Sequence, residues 1–430
     1  MTRFATRPTL RRRVGLRRVA LVIALCAVVL ALLVPAAPVA AATDRLPDLR
    51  VAPITDIRLA ASNGRRLLRF TGLMWNNGTG PMETRANRPS TTTAAWKVDQ
   101  IVYQTGGGYR RIRTPASMQY AGDGHDHWHV AKMLTYHLWG STGTLRSSKV
   151  GFCFFDTNLM SPSLPGSPSA GVYKESMCGR RASTSTRNGI SVGWGDKYPA
   201  NFAFQWVDVT GLPAGTYTLR SAVDLYRAFL EKSDTNNCAW ARIKIPASGS
   251  TVTVLARGQT CVNDWSTSSF SADIAWAKTA KVSTGCDADM FCTNNLVTRG
   301  LMATFVARAF GLPAATSDYF TDDGTSPYEA DINRLAEAGA APRCGEGIYC
   351  PTRALTRAIA AYVLDKALGL PEATEDYFDD DEGSSVEGAI NRLAEAGITT
   401  GCGVRRYCPA DHVSRGQLMR LLHRSLAPAP

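Results

Sequence analysis

Short runs in which apolar and polar residues alternate dominate residues 43–262. They include RLLRFTGLMW, AWKVDQIVYQ, FAFQWVDV and TYTLRSAVDLY, and turn-forming stretches such as NNGTG, TGGG and LPAGT separate them. A period of two indicates half-buried strands, and several short strands punctuated by turns are typical of an all-β fold. The pattern therefore predicts an antiparallel, sandwich-like β domain over residues 43–262.

After residue 262 the apolar residues recur at the spacing of helices instead. Three C-x5-C pairs follow one another at a constant interval: Cys286 with Cys292, Cys344 with Cys350, and Cys402 with Cys408. The octapeptide INRLAEAG begins at Ile332 and, at the same interval, again at Ile390. Such self-similarity indicates a triple repeat over residues 263–430. Each unit is predicted to contain a helix, a loop closed by one local disulfide and a second helix, which makes this region all-α.

The second helix of each unit is preceded by a repeated dipeptide: Thr298-Arg299, Thr356-Arg357 and Ser414-Arg415. With the F-x-D stretches FTDDGTS and FDDDEGSS, the arrangement over residues 266–426 resembles the S-layer-homology repeat. That resemblance implies attachment to a cell-wall polymer. The acidic residue that usually follows Thr-Arg-Ala is absent, so an envelope protein is the alternative partner. Both acidic stretches lack the alternating ligand spacing of a calcium loop and are interpreted as solvated turns.

Residues 1–42 have the composition of an export signal. Seven arginines precede the sixteen-residue apolar run VALVIALCAVVLALLV, and the small residues PAAPVAAA follow it. A membrane-spanning helix needs roughly twenty apolar residues. A cleaved signal peptide is therefore predicted, with a retained anchor as the alternative, and the protein is expected outside the cell or in its envelope. Loss of Cys26 leaves 10 of the 11 cysteines, an even number that suits disulfides.

Charge is distributed unevenly between the three parts. Residues 1–42 carry +7, residues 43–262 carry +12 and residues 263–430 carry −7. A basic middle part raises the question of nucleic acid as a partner. It contains neither a phosphate-cradling loop nor zinc-knuckle spacing nor a basic helix. We therefore expect no nucleic-acid binding.

Three of the six histidines lie at alternate positions in GDGHDHWHV, namely His125, His127 and His129. On a strand their side chains would share one face, with Asp126 on the other. Three converging imidazoles suit Cu(II), Zn(II) or Ni(II), and the spacing alone leaves copper and zinc open. The alternative is a set of hydrogen-bonded histidines without a metal. That alternative fits one histidine better than three, because three on one face would repel one another when protonated.

Sequence stretches after the histidines bear on whether a metal binds and which one. HDHWHV, SSKVGFCFFDT, GISVGWGDKYPANFAFQWVDVTGLPAGTYTL and EKSDTNNCAWARI occur in the order and at about the spacing found in the lysyl oxidases. LRFTGLMWNNGTGPME, near the start, adds to a resemblance that runs from Leu46 to Cys261. It implies that the His-x-His-x-His motif binds Cu(2+). It also implies a secreted amine oxidase that uses O2 to convert primary amines or lysine side chains of peptides to aldehydes, releasing ammonia and hydrogen peroxide.

The same resemblance implies an organic cofactor, lysine tyrosylquinone, made from Lys149 and Tyr198. Lys197 adjoins Tyr198 but would point the opposite way on a strand, so it is the poorer candidate. A general base is required as well, and Asp156 and Asp208 lie in the matching segments, while Asp126 adjoins the histidines. Two further disulfides are implied, Cys153–Cys178 and Cys238–Cys261. They add to the three predicted within the C-x5-C pairs, Cys286–Cys292, Cys344–Cys350 and Cys402–Cys408.

Two other functions fit the sequence. One is a copper-binding envelope protein that never forms the quinone. The other is a wall-anchored structural module in which the metal site is vestigial. Copper content and a Lys149–Tyr198 crosslink distinguish all three.

Overall fold

The computed structural model describes residues 42–121, 126–147, 149 and 151–427. His125 and residues 1–41 of the expected signal peptide lie outside the described residues. Asp44–Pro430 form one compact unit. Strands fill its first part and helices its second, as the change of period after residue 262 predicts. We call residues 44–262 the β region and residues 263–427 the repeat ring.

Nineteen strands make up the described part of the β region. They are β1 (Asp44–Arg45), β2 (Leu49–Val51), β3 (Thr55–Ser62), β4 (Arg65–Asn76), β5 (Met82–Asn87), β6 (Lys97–Gln104), β7 (Tyr109–Arg113), β8 (Met118–Tyr120), β9 (Trp128–Ala131), β10 (Leu134–Gly140), β11 (Gly143–Arg146), β12 (Gly151–Phe152), β13 (Asn158–Leu159), β14 (Ser185–Ile190), β15 (Trp194–Tyr198), β16 (Trp206–Asp208), β17 (Gly215–Val223), β18 (Cys238–Ile245) and β19 (Thr253–Gly258). A 3-10 turn, Glu175–Cys178, lies between β13 and β14.

Every strand pairing among the described residues is antiparallel, as expected. The strands form four sheets, however, and not the two of a simple sandwich. Their orders are β1-β6-β5-β14 with β7 on β6, β11-β10-β17-β18-β19, β12-β9-β8, and β13-β15-β4-β16 with β2 and β3 on β4.

The long strand β4 explains part of this difference, because its two halves have different neighbours. Its first half pairs with β3 and β16, and its second half pairs with β2 and β15. Gly72 lies where the neighbours change and is opposite Tyr198 of β15. A β-carbon at Gly72 would overlap the hydroxyl of Tyr136, so only glycine allows this tyrosine to pack against the strand.

Six helices make up the described part of the repeat ring: α1 (Ser271–Thr279), α2 (Arg299–Phe310), α3 (Glu329–Glu337), α4 (Arg357–Leu368), α5 (Glu387–Glu395) and α6 (Arg415–Leu426). This confirms the predicted alternation of a helix, a disulfide loop and a second helix. Thr298, Thr356 and Ser414 cap the second helices, each accepting a hydrogen bond from the backbone N–H three residues on. A short polar side chain at this position satisfies an N–H that has no partner within the helix.

The three loop disulfides of the repeats are present as predicted: Cys286–Cys292, Cys344–Cys350 and Cys402–Cys408. The second cysteine of each pair has an unusual backbone conformation. Cys292, Cys350 and Cys408 have φ values of 57°, 61° and 57°, in the left-handed region that residues other than glycine rarely enter. The spacing of the cysteines gave no signal of this conformation, which turns the chain sharply after each disulfide.

The three repeats close into a ring through their backbone. The N–H of Val297 donates to the carbonyl of Val413, that of Leu355 to Val297 and that of Val413 to Leu355, at 2.8–3.0 Å. Since these three positions are equivalent in the repeats, each unit contacts both of the others in the same way.

A buried arginine accompanies each closure, and it is the arginine of the repeated dipeptide. Arg299, Arg357 and Arg415 are at most 9% exposed. Their guanidinium groups lie 5.1, 4.5 and 4.9 Å from the ring centroids of Tyr349, Tyr407 and Phe291, respectively. Each aromatic residue belongs to a different repeat from its arginine, so these contacts join neighbouring units.

The acidic stretches of the repeats are not solvated turns throughout, which corrects that expectation. Asp322 and Asp380 accept hydrogen bonds from the backbone of the following disulfide loop, including the N–H of its second cysteine. The next residues, Asp323 and Asp381, are buried, at 0% and 1% exposure. In both repeats a buried aspartate therefore directly follows the aspartate that binds the loop.

Each of the two regions has its own hydrophobic core within the compact unit. Polar contacts join the regions: the N–H of Thr144 donates to Oδ1 of Asn295 at 2.7 Å, and Nδ2 of Asn294 donates to the carbonyl of Gly140 at 2.9 Å. None of the helices in the described ranges is both long and apolar enough to cross a membrane.

Candidate active site

The histidine motif enters β9, which begins at Trp128. The Nε2 atoms of His127 and His129 lie 3.1 Å apart, so the two rings converge on one face of the chain as the alternation predicts. Two ligands of one ion with bonds of about 2.0–2.1 Å would show a similar separation. The donor set therefore fits a copper or zinc ion. The third histidine of the motif, His125, lies outside the described residues.

Contacts of Trp128, on the opposite face of β9, hold this strand in place. Trp128 is buried, packs on Trp96 at 4.8 Å between ring centroids, and donates its indole N–H to the carbonyl of Arg180 at 2.9 Å. Nδ1 of His127 lies 3.4 Å from the carboxylate of Glu175. A carboxylate at the second ring nitrogen is a common way to orient a histidine ligand.

Lys149 and Tyr198, which are distant in the sequence, are neighbours in the structure. Nζ of Lys149 lies 5.1 Å from the centroid of the Tyr198 ring and 4.8 Å from that of Phe152. Tyr198 is 6% exposed. The amine and the phenol ring are therefore brought together in a largely buried place. This arrangement provides the proximity that a covalent bond between the two side chains needs.

Aromatic rings surround Tyr198. Phe152 contacts it edge to face at 4.6 Å between centroids, and Tyr136 lies 6.1 Å from Phe152. Phe152 also connects the two halves of the site, because it pairs with Val130, the residue after His129, across β12 and β9.

A disulfide makes a second connection. The hydroxyl of Tyr198 donates to the carbonyl of Cys153 at 2.7 Å. Cys153 is bonded to Cys178, the last residue of the turn that carries Glu175. Cys238 is likewise bonded to Cys261, so all five expected disulfides are present. The Cys153–Cys178 bond joins the phenol to the carboxylate beside His127.

Asp196 is the residue that sequence reasoning missed. It is 1% exposed and lies two positions before Tyr198 on β15, so both side chains share a face, whereas Lys197 between them is exposed. Burial raises the pKa of Asp196 to about 8, although the nearby hydroxyl of Tyr198, the backbone N–H of Phe155 and the charge of Lys149 act to lower it. Burial also raises the pKa of Tyr198 well above its usual value, and Asp196 adds to that effect.

The two base candidates taken from the sequence are held in other contacts. Asp156 accepts four hydrogen bonds, from the N–H groups of Val172, Tyr173 and Ser191 and from the hydroxyl of Ser191, so its lone pairs are occupied. It organises a loop.

Asp208 is exposed and accepts from the backbone and hydroxyl of Thr210. It pairs with Leu67 of β4, whereas Tyr198 pairs with Gly72. That separation is roughly 17 Å along the strand. The structure therefore does not bring Asp208 to Tyr198. Asp126, beside the histidines, is exposed and lies 3.4 Å from the hydroxyl of Tyr120.

Comparison with known proteins finds a similarity within the β region. Residues 108–255 match the family model described as lysyl oxidase. Lysyl oxidase homolog 2 of Gallus gallus is 27% identical over 179 residues, which is 41% of this chain and 18% of that protein. Lysyl oxidase homolog 4 of Mus musculus is 26% identical over 186 residues, 42% of this chain and 19% of that protein. The chain thus spans about a fifth of the length of these relatives.

A protein of another kind matches a shorter part of the chain. The S-layer protein EA1 of Bacillus anthracis is 29% identical over 125 residues, which is 28% of this chain and 14% of that protein.

Proposed function

We propose that this chain is a copper-dependent amine oxidase that converts primary amines, including lysine side chains of peptides, to aldehydes. The observation that carries the proposal is the approach of Lys149 to Tyr198, at 5.1 Å, in a buried aromatic environment. The match of residues 108–255 to the lysyl oxidase family supports it.

His125, His127 and His129 are the proposed copper ligands. When bound, copper with O2 supplies the oxidising chemistry that makes lysine tyrosylquinone from a lysine and a tyrosine, and the quinone supplies the electrophilic carbonyl for deamination. The overall reaction takes an amine, O2 and water to an aldehyde, ammonia and hydrogen peroxide. Histidine ligands suit copper, and two of these rings converge here.

The chain's own residues prepare this chemistry. The phenol of Tyr198 is neutral at pH 7, burial raises its pKa further, and its hydroxyl donates to the carbonyl of Cys153. The rings of Phe152 and Tyr136 pack beside Tyr198 and help to keep its ring buried, at 6% exposure. Asp196, with a pKa of about 8, can accept and return a proton near neutral pH, which suits a general base.

The test uses the full chain, produced with copper and O2 and then treated with phenylhydrazine. We expect about one copper per chain, a coloured hydrazone and a crosslinked peptide that contains both Lys149 and Tyr198 by mass spectrometry. Copper without a crosslink would contradict the oxidase and support the copper-binding envelope protein. A chain with neither bound copper nor the crosslink would support the wall-anchored structural module.

We also propose that the protein is exported and that the repeat ring attaches it to a cell-wall polymer or an envelope protein. Five disulfides support export, because such bonds persist in oxidising compartments. We expect the full chain to sediment with isolated cell wall. Loss of binding when the wall polymer is stripped would indicate the polymer, and retention would indicate a protein. A chain that stays in the supernatant would contradict attachment.

A further inference from the structure

A cavity of about 330 Å³ lies beside Lys149. Lys132, Tyr136, Arg146 and Asp287 line it together with Lys149. We call this space the Lys149 cavity. Tyr198 does not line the cavity, but Lys149, which does, also faces the ring of Tyr198, so the cavity reaches one member of the proposed reacting pair.

Asp287 reaches the cavity from the repeat ring, where it follows Cys286 in the first disulfide loop. Its Oδ2 accepts hydrogen bonds from Nε2 of His137 at 3.0 Å and from Nη1 of Arg146 at 3.2 Å. Nδ1 of His137 faces a guanidinium N–H of Arg220 at 3.2 Å, so the proton of this imidazole belongs on Nε2. The contact is buried and directional, and it fixes the carboxylate in the cavity wall.

The charge of Asp287 is unusual for its surroundings. Among the described residues that line the Lys149 cavity it is the one carboxylate, whereas Lys132, Arg146 and Lys149 are basic. Residues 43–262 carry +12 in total, a charge that repels a protonated amine. Residues 263–430 carry −7. The acidic region therefore delivers a negative group to the cavity of the basic one.

Asp287 also has capacity for a ligand. A carboxylate offers about four acceptor positions, and His137, Arg146 and the N–H of Ala288 use three. The side chain of Arg146 is 62% exposed, so it can turn into solvent and leave an acceptor position on Asp287, whose own side chain is 4% exposed, to a ligand. Although burial raises the pKa of Asp287, the hydrogen bond from His137, with those from the N–H of Ala288 and from Arg146, lowers it to about 2. The group is therefore ionised at physiological pH.

We propose that Asp287 is a specificity-determining residue that receives the ammonium group of a primary-amine substrate in the Lys149 cavity. The inference rests on the proposed oxidase function, and it makes the first repeat loop part of the substrate site. Asp287 selects the substrate and takes no part in proton transfer.

The test measures binding of n-butylammonium to the copper-free full chain under argon, where no oxidation occurs, by isothermal titration calorimetry. We expect Asp287→Asn to weaken binding by about tenfold, because a charge-assisted hydrogen bond is lost. Asp287→Glu keeps the charge and should retain most of the affinity. The uncharged n-butanol should bind the wild type and Asp287→Asn alike.

Asp289→Asn is the matched control. Asp289 lies on the same loop and its carboxylate pairs with Arg220 at 2.6 Å, away from the Lys149 cavity, so this variant disturbs docking without changing the cavity's charge. Equal weakening by both variants, unchanged binding in Asp287→Asn, or no binding to the wild type would each overturn the inference.

Turnover provides the second measurement. Asp287→Asn should raise KM for butylamine about tenfold with little change in kcat, and its reaction with neutral phenylhydrazine should be unaffected. If butylammonium binding depends on Asp287 but the wild type forms no hydrazone, the amine site stands and the oxidase function fails. The two proposals can therefore be separated.

Discussion

The β region and the repeat ring both bury charged side chains. In the ring the same buried arginine contact occurs in all three repeats, whereas in the β region each buried charge has different surroundings. In the ring, Arg299, Arg357 and Arg415 each stack on an aromatic residue of another repeat. In the β region, Asp196 is buried beside Tyr198 and Arg220 beside His137, each in unlike surroundings. Repeated burial secures the ring closure. Two of the single cases, Asp196 and Arg220, lie at the proposed reacting pair and at the contact between the two regions.

The largest effect is expected from Lys149, because the proposed cofactor cannot form without its amine. Lys149→Ala should abolish the crosslink, the phenylhydrazine colour and turnover, while copper content stays the same. Lys197→Ala is the matched control, since this lysine is exposed on β15 next to Tyr198. Peptide mass spectrometry and a hydrogen peroxide assay measure both variants. Loss of the crosslink in Lys197→Ala alone would reverse the assignment of the lysine.

Asp196→Asn tests whether the buried carboxyl beside Tyr198 is the general base. As a lost general base it should lower kcat/KM by about 10²–10⁴-fold. The wild-type rate should rise as pH increases through about 8, where Asp196 loses its proton, and the variant should lack this step. Phenylhydrazine titration counts the quinone in both proteins, so slow turnover is not confused with failed cofactor formation. A variant with normal quinone and normal turnover would contradict this role.

Asp196→Asn should raise the stability of the protein at high pH, although it lowers activity. The folded protein holds the proton of Asp196 up to pH 8, whereas the unfolded chain releases it near its usual pKa of 3.8. Stability contributed by the protonated carboxyl is therefore present below pH 4 and is lost as pH rises through about 8. Asparagine cannot ionise, so the variant should be more stable than the wild type above pH 8. Urea unfolding at pH 5 and pH 9 measures the difference.

This contrast also explains how much the sequence could predict. The helices, caps and loop disulfides of the ring recur at a constant interval, so each copy supports the interpretation of the others. The shared face of His127 and His129 follows from the period of a strand. Lys149 and Tyr198 could be paired only through the family resemblance, because the long segment between them carries no local signal.

The sequence analysis did not predict several other features of the structure, for reasons that can be named. Asp196 had a usable signal, since it shares a strand face with Tyr198 at a distance of two positions. Asp287 had none, because its position in the Lys149 cavity depends on how a loop of the ring docks onto β10 and β11. The left-handed backbone at Cys292 and Cys350 had none either, since only the closed loop imposes it. The split pairing of β4, which separates the sheets, likewise depends on contacts between strands distant in sequence.

The buried arginines of the ring provide the next test. Arg415→Met should lower the free energy of unfolding by about 2–6 kcal/mol, because two buried acceptors lose their donor at about 1–3 kcal/mol each. They are the carbonyl of Phe291 and the hydroxyl of Ser283, at 2.8 and 3.1 Å. Arg353→Met, an exposed position of the ring, should change stability by less than about 0.5 kcal/mol. Denaturant unfolding compares them, and equal effects would contradict a closure role for Arg415.

The smallest effect concerns the side-chain N-caps of the second helix in each repeat. The first helices, α1, α3 and α5, have no side-chain cap hydrogen bond. Thr356 accepts from the N–H of Ile359 at 3.3 Å, so Thr356→Ala should cost about 1 kcal/mol of unfolding free energy. Ser414→Ala should cost somewhat more, because Ser414 forms a reciprocal capping box with Gln417. Thr352→Ala, at an exposed loop position, is the control. If both cap variants matched this control in thermal and urea unfolding, ring stability would depend on the closure contacts alone and the repeated Thr/Ser would need another explanation.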